Sequence, residues 1–276
     1  MTQIKPPNRG FVTLLEKLAP FRFPIARLSK IPGIGKIMYL MMFRYNNITV
    51  LPKDQTVEIT LNKHIPPPHN IILPSQIVHH FIDNTNHHFI MDFCLCRESN
   101  QCTHYPQTLG CLFLGEAANE ISPKYGHLAT AEEAHKHIEK CQQKGLVHII
   151  GRDKIDETWL KVSNGEKLMT ICNCCECCCL WKMLPHLTDK INTHYKKMPG
   201  VTVKVTDACI GCGKCVDVCF LEGINIIDNK AVLSENCRGC GRCVSICPYK
   251  AISLTLNDPE YMAKTIKRVQ LAVDIT

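Results

Sequence analysis

Apolar residues near the start of the chain recur at helical spacing among basic side chains. One set falls on a single helix face: Phe11, Leu14, Leu15 and Leu18. A second apolar run covers residues 37–43 and lies between Lys36 and Arg44. A helix that crosses a bilayer needs about 20 apolar residues, and this run has seven. The pattern therefore predicts a basic, amphipathic N-terminal arm that does not span a membrane.

Further along the chain, the apolar pattern alternates between helical and strand periods. The predicted elements are a strand over residues 57–61, a helix over 75–84, a strand over 88–95, a helix from Thr130 to before Gly145, and strands over 146–150 and 167–172. Thr130 and Glu133 have the spacing of a capping box, which marks the start of the second helix. We therefore predict a mixed α/β domain in the middle of the chain.

Charge divides the chain into unequal segments. Residues 1–53 hold nine Lys/Arg and one acid, Glu16, for a net charge of +8, whereas residues 54–200 carry −2 and residues 201–276 carry +1. All 13 histidines and 11 of the 19 cysteines fall in the middle segment. We predict an N-terminal arm at 1–53, a Cys/His-rich domain at 54–200, a third domain at 201–256 and a C-terminal helix at 257–276.

Cysteine usage indicates a reducing compartment. A chain of 276 residues does not need disulfides to fold, and basic residues interrupt the early apolar stretches, unlike in a secretory signal. We expect a cytoplasmic protein whose basic arm contacts an anionic membrane surface at its inner face. The alternative is that the arm covers the middle domain or an acidic partner subunit. The net charge of the middle segment argues against nucleic-acid binding.

Two stretches of the third segment repeat one cysteine spacing. The pattern C-x-x-C-x-x-C-x-x-x-C begins at Cys209 and begins again at Cys237, 28 residues later. Three close cysteines on a glycine-bearing loop can reach three irons of a cubane cluster, and the fourth ligand has to come from elsewhere. The pattern resembles the bacterial two-[4Fe-4S] ferredoxin family, whose fold is a pseudo-twofold pair of hairpin-plus-helix units.

The resemblance implies two [4Fe-4S] clusters with crossed ligands. One cluster would be held by Cys209, Cys212, Cys215 and Cys247. The other would be held by Cys237, Cys240, Cys243 and Cys219. Phe220 departs from the family pattern, in which proline usually follows the fourth cysteine. The predicted fold class is α+β, with a ferredoxin-like pseudo-twofold module on a larger Cys/His-rich α/β domain; the remainder resembles no characterised family.

A second cysteine system lies in the middle segment. It comprises Cys94, Cys96, Cys102, Cys111, Cys172, Cys174, Cys175, Cys177, Cys178 and Cys179. Free thiols at this density would oxidise or bind metal. We predict at least one further iron–sulfur cluster here, with zinc, redox-active dithiols or a metal-sensing role as alternatives. Cys141 is interpreted as a core thiol, and His104 is the histidine to test first as a ligand or proton donor.

The run over residues 172–179 faces two directions in either regular structure. A helix would put positions 172, 175 and 179 on one face, and a strand would put 172, 174 and 178 on one face. Both arrangements suit a larger cluster or two metal centres.

These observations favour an electron-transfer protein or a subunit of a redox complex. It would relay single electrons through two clusters to a further metal centre, with a dedicated redox partner. One alternative is a reductase whose substrate meets the extra cluster directly, and another is a cluster carrier or metal-responsive regulator. Residues 32–35 lack the frame of a dinucleotide fingerprint, so the sequence names no nucleotide cofactor and no substrate.

Overall fold

Twelve strands form three sheets within residues 10–59 and 73–276, the part of the chain that the computed structural model describes. The strands are β1 (Asn47–Val50), β2 (Val57–Ile59), β3 (His88–Met91), β4 (Leu112–Leu114), β5 (Gly126–Ala129), β6 (Val147–Arg152), β7 (Met169–Cys174), β8 (Tyr195–Lys197), β9 (Val201–Val205), β10 (Ile224–Ile227), β11 (Lys230–Leu233) and β12 (Ile252–Leu256).

Most of the helices are short. They are α1 (Gly10–Leu18), α2 (Arg22–Leu28), α3 (Ile34–Met38), α4 (Ser75–Asp83), α5 (Leu95–Ser99), α6 (Ala131–Gln143), α7 (Lys154–Leu160), α8 (Asp189–Asn192), α9 (Lys214–Asp217), α10 (Arg242–Ile246) and α11 (Tyr261–Gln270). Short 3₁₀ turns and one π-helical turn, Tyr39–Phe43, join them. The mixture of helices and strands confirms the α+β class.

A seven-stranded sheet forms the middle of the molecule, in the order β5-β3-β4-β7-β6-β1-β8. All of its strand pairs are antiparallel except the parallel pair of β1 and β8. The predicted pairing of residues 146–150 with 167–172 is confirmed, and the register places Ile149 opposite Cys172 and Val147 opposite Cys174. This register sets two thiols on one face of a central strand.

The predicted helices and strands of the middle segment are largely confirmed. Thr130 and Glu133 form the capping box of α6, and its inward residues Ala134, Ile138 and Cys141 are fully buried. The strand predicted over residues 88–95 ends at Met91, because Leu95 already begins α5. The strand predicted over 57–61 is present as β2, and its last two residues lie outside the described part of the chain.

One hydrophobic core joins the middle segment to the C-terminal one. Strand β2 pairs in parallel with β12, which pairs antiparallel with β9. The core beneath these strands contains residues from both segments: Ile77, Phe81, Ile138, Ile150, Val201, Leu254, Leu256, Val269, Val273 and Ile275. The ferredoxin-like segment is therefore built into the larger fold rather than attached to it.

The N-terminal helices lie on the middle segment. Val12, Ala26 and Phe43 are buried against it, so part of the arm covers that domain. Other large apolar side chains stay exposed: Leu14, Leu18, Phe21, Ile25, Leu28, Ile31, Ile34, Ile37, Leu40 and Met41. For Phe11 and Leu15 only the backbone is described. Among the described residues, none of the helices has the length and apolar character needed to cross a membrane.

Candidate metal centres

Two small cavities in the C-terminal segment are lined by cysteines. Cys209, Cys212, Cys215 and Cys247 surround one cavity. Cys219, Cys237, Cys240 and Cys243 surround the other. The structure thus brings together both cysteine sets that the ferredoxin resemblance implied, including the crossed fourth members.

The two loops have the same backbone geometry. Gly213 and Gly241 both have φ of +81° and each precedes the short helix of its repeat. A side chain in that left-handed region is strained, and a Cβ on Gly241 would also lie 2.0 Å from Oγ1 of Thr56. Glycine at these positions leaves the loop backbone free to wrap a compact inorganic group.

Backbone N–H groups donate to several of these sulfurs. Gly223 donates to Cys219 over 3.1 Å, and Ala231 donates to Cys209 over 3.3 Å. Ala251 donates to Cys247 over 3.3 Å. N–H groups favour the thiolate form, and those of Gly211 and Ala231 lower the pKa of Cys209. Ionised sulfur is the form that binds metal.

The two cavities differ in their surroundings. Cys212 is exposed, whereas Cys240 packs against an apolar cluster that contains Cys174 and Trp181. The carbonyl of Cys240 accepts a hydrogen bond from the backbone N–H of Lys53 over 3.1 Å. The first cavity therefore lies toward solvent, and the second lies against the middle segment.

The ten thiols of the middle segment fall into two sets. The four-thiol set is Cys102, Cys175, Cys177 and Cys178, whose sulfurs all lie within 4.8 Å of one another. The thiol chamber is a cavity of about 280 Å³ lined by Cys94, Cys96, Cys111, Cys172, Cys174 and Cys179. Cys175 and Cys178 also reach this cavity. Two separate metal centres, rather than one, fit this division.

The division differs from both regular patterns expected for residues 172–179. The strand ends at Cys174, and a turn over the next residues brings Cys179 back toward it, with 3.2 Å between the two sulfurs. Cys111 precedes β4, and its sulfur lies 3.9 Å from that of Cys172. The strand prediction is right for Cys172 and Cys174 and wrong beyond them, because the backbone turns.

Arg97 is a fully buried cation beside these thiols. Its guanidinium donates to the carbonyls of Pro106 and Asn173, each over 2.8 Å, and to that of Leu109. Burial alone would lower its pKa, but nearby thiols, first among them Cys94, raise it. The nearby thiols therefore favour the charged form of this guanidinium, in addition to the three carbonyls that accept its hydrogen bonds.

Charge within the thiol chamber is concentrated on two sulfurs. A hydrogen bond from Cys96 lowers the pKa of Cys94 to about 7. Hydrogen bonds from Cys172 and Cys179 hold the pKa of Cys174 well below its usual range. Hydrogen bonds to Cys111 and Cys174 and burial raise the pKa of Cys172, and burial and the hydrogen bond to Cys174 raise that of Cys179; repulsion from the Cys174 thiolate adds to both shifts. A bound cation would relieve this repulsion and let more of the sulfurs ionise.

Arg242 joins the second ferredoxin loop to the thiol chamber. It begins α10, its guanidinium donates to the carbonyl of Cys174, and its Nε lies 3.7 Å from a carboxylate oxygen of Glu176. Its carbon Cζ lies 4.9 Å from the ring centroid of Phe220. Phe220 thus replaces the usual family residue with an aromatic face under this cation.

Several residues of the site were missed by sequence reasoning. Arg97 and Arg242 lie next to cysteines in the sequence, and this position could have identified them as residues of the site. Asp156 faces the chamber, and burial raises its pKa to about 6 although Trp159 donates to it; nothing in the sequence marked it. His104 is exposed and lies outside the four-thiol set.

Comparison with known proteins identifies one region of the chain. Residues 201–248 match the 4Fe-4S dicluster domain family. No curated protein and no solved structure matches the chain. The C-terminal region is therefore a 4Fe-4S dicluster domain, and the chain is an iron–sulfur protein with an additional cysteine-rich region.

Proposed function

We propose that this protein transfers single electrons through two [4Fe-4S] clusters to a further iron–sulfur centre in the thiol chamber. The clusters would be held by the two cysteine sets of the dicluster domain. The observation that carries the proposal is the contact made by the second loop: Arg242 donates a hydrogen bond to the carbonyl of Cys174, and Cys240 packs against the apolar cluster that contains Cys174.

The positions of the two cavities set the order of the centres in the proposed relay. The cluster at Cys212 would lie nearest solvent, where a redox partner protein can dock. The cluster at Cys240 would lie between it and the chamber. A dicluster domain alone would suffice for a diffusing shuttle, so the built-in third site favours a dedicated partner or a redox complex.

The chamber suits an anionic metal–thiolate centre. Six cysteines outside the four-thiol set line it, more than one simple cubane needs, and the cation Arg97 lies beside them. A cluster with thiolate ligands carries net negative charge, which a buried guanidinium stabilises. A larger cluster or one with two types of iron site would use most of the six ligands.

Iron and acid-labile sulfide analysis of the full chain, purified without oxygen, tests this proposal. Two cubane clusters account for about eight irons per chain, so we expect a clear excess over eight. Cys174→Ser should remove the excess and leave the dicluster signals in place. Cys141→Ser is the matched control, because Cys141 is a buried thiol outside the chamber lining. About eight irons in the wild type, or an unchanged count in Cys174→Ser, would contradict the proposal.

The exposed face of the N-terminal helices supports a membrane contact as part of this function. Ten large apolar side chains are exposed between Leu14 and Met41, and no acid occurs between Lys17 and Lys53. Each basic residue near an anionic leaflet contributes about 1 kcal/mol, and inserted apolar side chains add to it. The proposed role is peripheral attachment of the electron carrier to an anionic membrane surface.

A further inference from the structure

The four-thiol set is the tightest group of candidate ligands in the described part of the chain. The sulfur of Cys177 lies 3.6 Å from that of Cys102 and 3.5 Å from that of Cys178. No other three Cys, His, Asp or Glu ligand atoms among the described residues come within 4.8 Å of one another. These sulfur–sulfur distances can be compared with those of a single metal ion and of a cubane cluster.

One tetrahedral ion and a cubane cluster place their thiolates at different separations. With zinc–sulfur bonds of about 2.3 Å, the edges of a sulfur tetrahedron are roughly 3.8 Å. In a cubane each cysteine binds a different iron, so its sulfurs lie farther apart. The eight cysteines of the dicluster domain provide the comparison within this chain, and none of them forms a set as tight.

The surroundings of the four-thiol set are those of a closed site. Cys175 is only 1% exposed, Cys102 and Cys178 are also buried, and Cys177 is half-buried. The backbone N–H of Cys178 donates to the sulfur of Cys175 over 3.4 Å. Four thiolates complete a tetrahedral shell and leave no position for substrate.

The set joins two loops that are far apart in sequence. Cys102 follows α5, whereas the other three cysteines follow β7. A hydrogen bond also connects the two loops. The Tyr105 hydroxyl donates to the carboxylate of Glu176 and lies 2.9 and 3.0 Å from its two oxygens. These loops flank Cys94, Cys96, Cys174 and Cys179, so fixing them shapes the thiol chamber.

We infer that Cys102, Cys175, Cys177 and Cys178 bind a single zinc ion that holds the walls of the thiol chamber together. Zinc has no redox chemistry and favours closed, four-cysteine structural sites. The ion is distinct from the iron–sulfur centres, and its presence does not depend on the electron-transfer role.

Metal analysis and zinc-edge X-ray absorption of the full chain test this inference. We expect one zinc per chain, with four sulfur neighbours at about 2.3 Å. Cys177→Ser should lose the zinc and keep the dicluster iron, and Cys141→Ser should keep both metals. Because Cys177→Ser could disturb folding, the wild type is also produced with cobalt in place of zinc, and its visible bands should be those of a tetrahedral cobalt–thiolate site.

Three results would overturn the zinc assignment. The first is a wild-type protein without zinc. The second is a loss of about four irons in Cys177→Ser, which would place a cubane at these cysteines. The third is a loss of one iron in that variant, which would mean a mononuclear iron site instead.

Discussion

At the scale of single residues, Arg97 affects which cysteines of the middle segment are ionised. Burying a guanidinium without a compensating anion costs several kcal/mol, yet Arg97 is fully buried; three backbone carbonyls accept its hydrogen bonds, and nearby thiols raise its pKa. The arginine and the thiolates therefore stabilise each other. Arg97 thus favours the ionised forms of Cys94 and Cys174, in an interior where the pKa of the other chamber thiols is raised.

At the same scale, the crossed arrangement of the dicluster cysteines makes a clear prediction. Cys209→Ala and Cys247→Ala should disturb the same cluster, because both residues line one cavity. Cys219→Ala and Cys237→Ala should disturb the other, whose cavity they share. Electron paramagnetic resonance of the reduced protein separates the two signals. If Cys247→Ala removed the signal that Cys237→Ala removes, the ligand sets would not be crossed.

Because His148 is buried, we expect the fold to lose stability in mild acid. Burial lowers its pKa to about 4 from the usual 6.5, although Asn173 bonds to its Nδ1 over 2.8 Å. Its contribution is therefore present above pH 6.5 and is lost as the pH falls toward 4, because the unfolded chain takes up a proton first. The loss should approach about 3 kcal/mol.

His148→Asn is the variant that tests this pH dependence. Its amide can still donate to Asn173, but it cannot take up a proton. Denaturant unfolding between pH 4 and 7 should show a shallower pH dependence for the variant. Equal slopes for both proteins would mean that His148 does not titrate in this way.

At the scale of elements, the N-terminal helices should bind anionic vesicles. Ile37 and Met41 are 59% and 65% exposed, so Ile37→Gln with Met41→Gln should leave the fold intact and weaken flotation with anionic vesicles at low salt. Leu128→Gln with Leu271→Gln is the matched control, since both leucines are exposed elsewhere. Equal binding by the two variants, or no binding by the wild type, would contradict the membrane role.

The elements predicted from sequence were those with strong local signals. The capping box of α6 and the apolar runs of β6 and β7 were sufficient to predict these three elements, because each segment buries one face against a common core. Helices α5 and α7 were missed because they are one or two turns long. The division of the ten thiols was missed because it depends on the turn after Cys174 and on the register with β4, which only tertiary packing fixes.

For the whole molecule, the shared core predicts cooperative unfolding. Leu254 of β12 is fully buried among residues from both segments. Leu254→Ala should lower the free energy of unfolding by about 2–5 kcal/mol, and circular dichroism and the visible absorption of the clusters should shift together. Leu271→Ala, at a side chain that is 79% exposed, should change it by less than about 0.5 kcal/mol. Separate transitions for the two signals would show that the segments unfold independently.

The position of the last core residues also affects how the protein is made. Val273 and Ile275 fill the core beside Ile77 and Phe81, and β12 supplies the partner for β2. Synthesis proceeds from the N-terminal side, so all 19 cysteines are made before Val273 and Ile275, which close this core. Metal and sulfide must therefore reach the thiols while the core is still open, or enter through the chamber afterwards. Oxidation of the thiols before this core closes would therefore block metal binding.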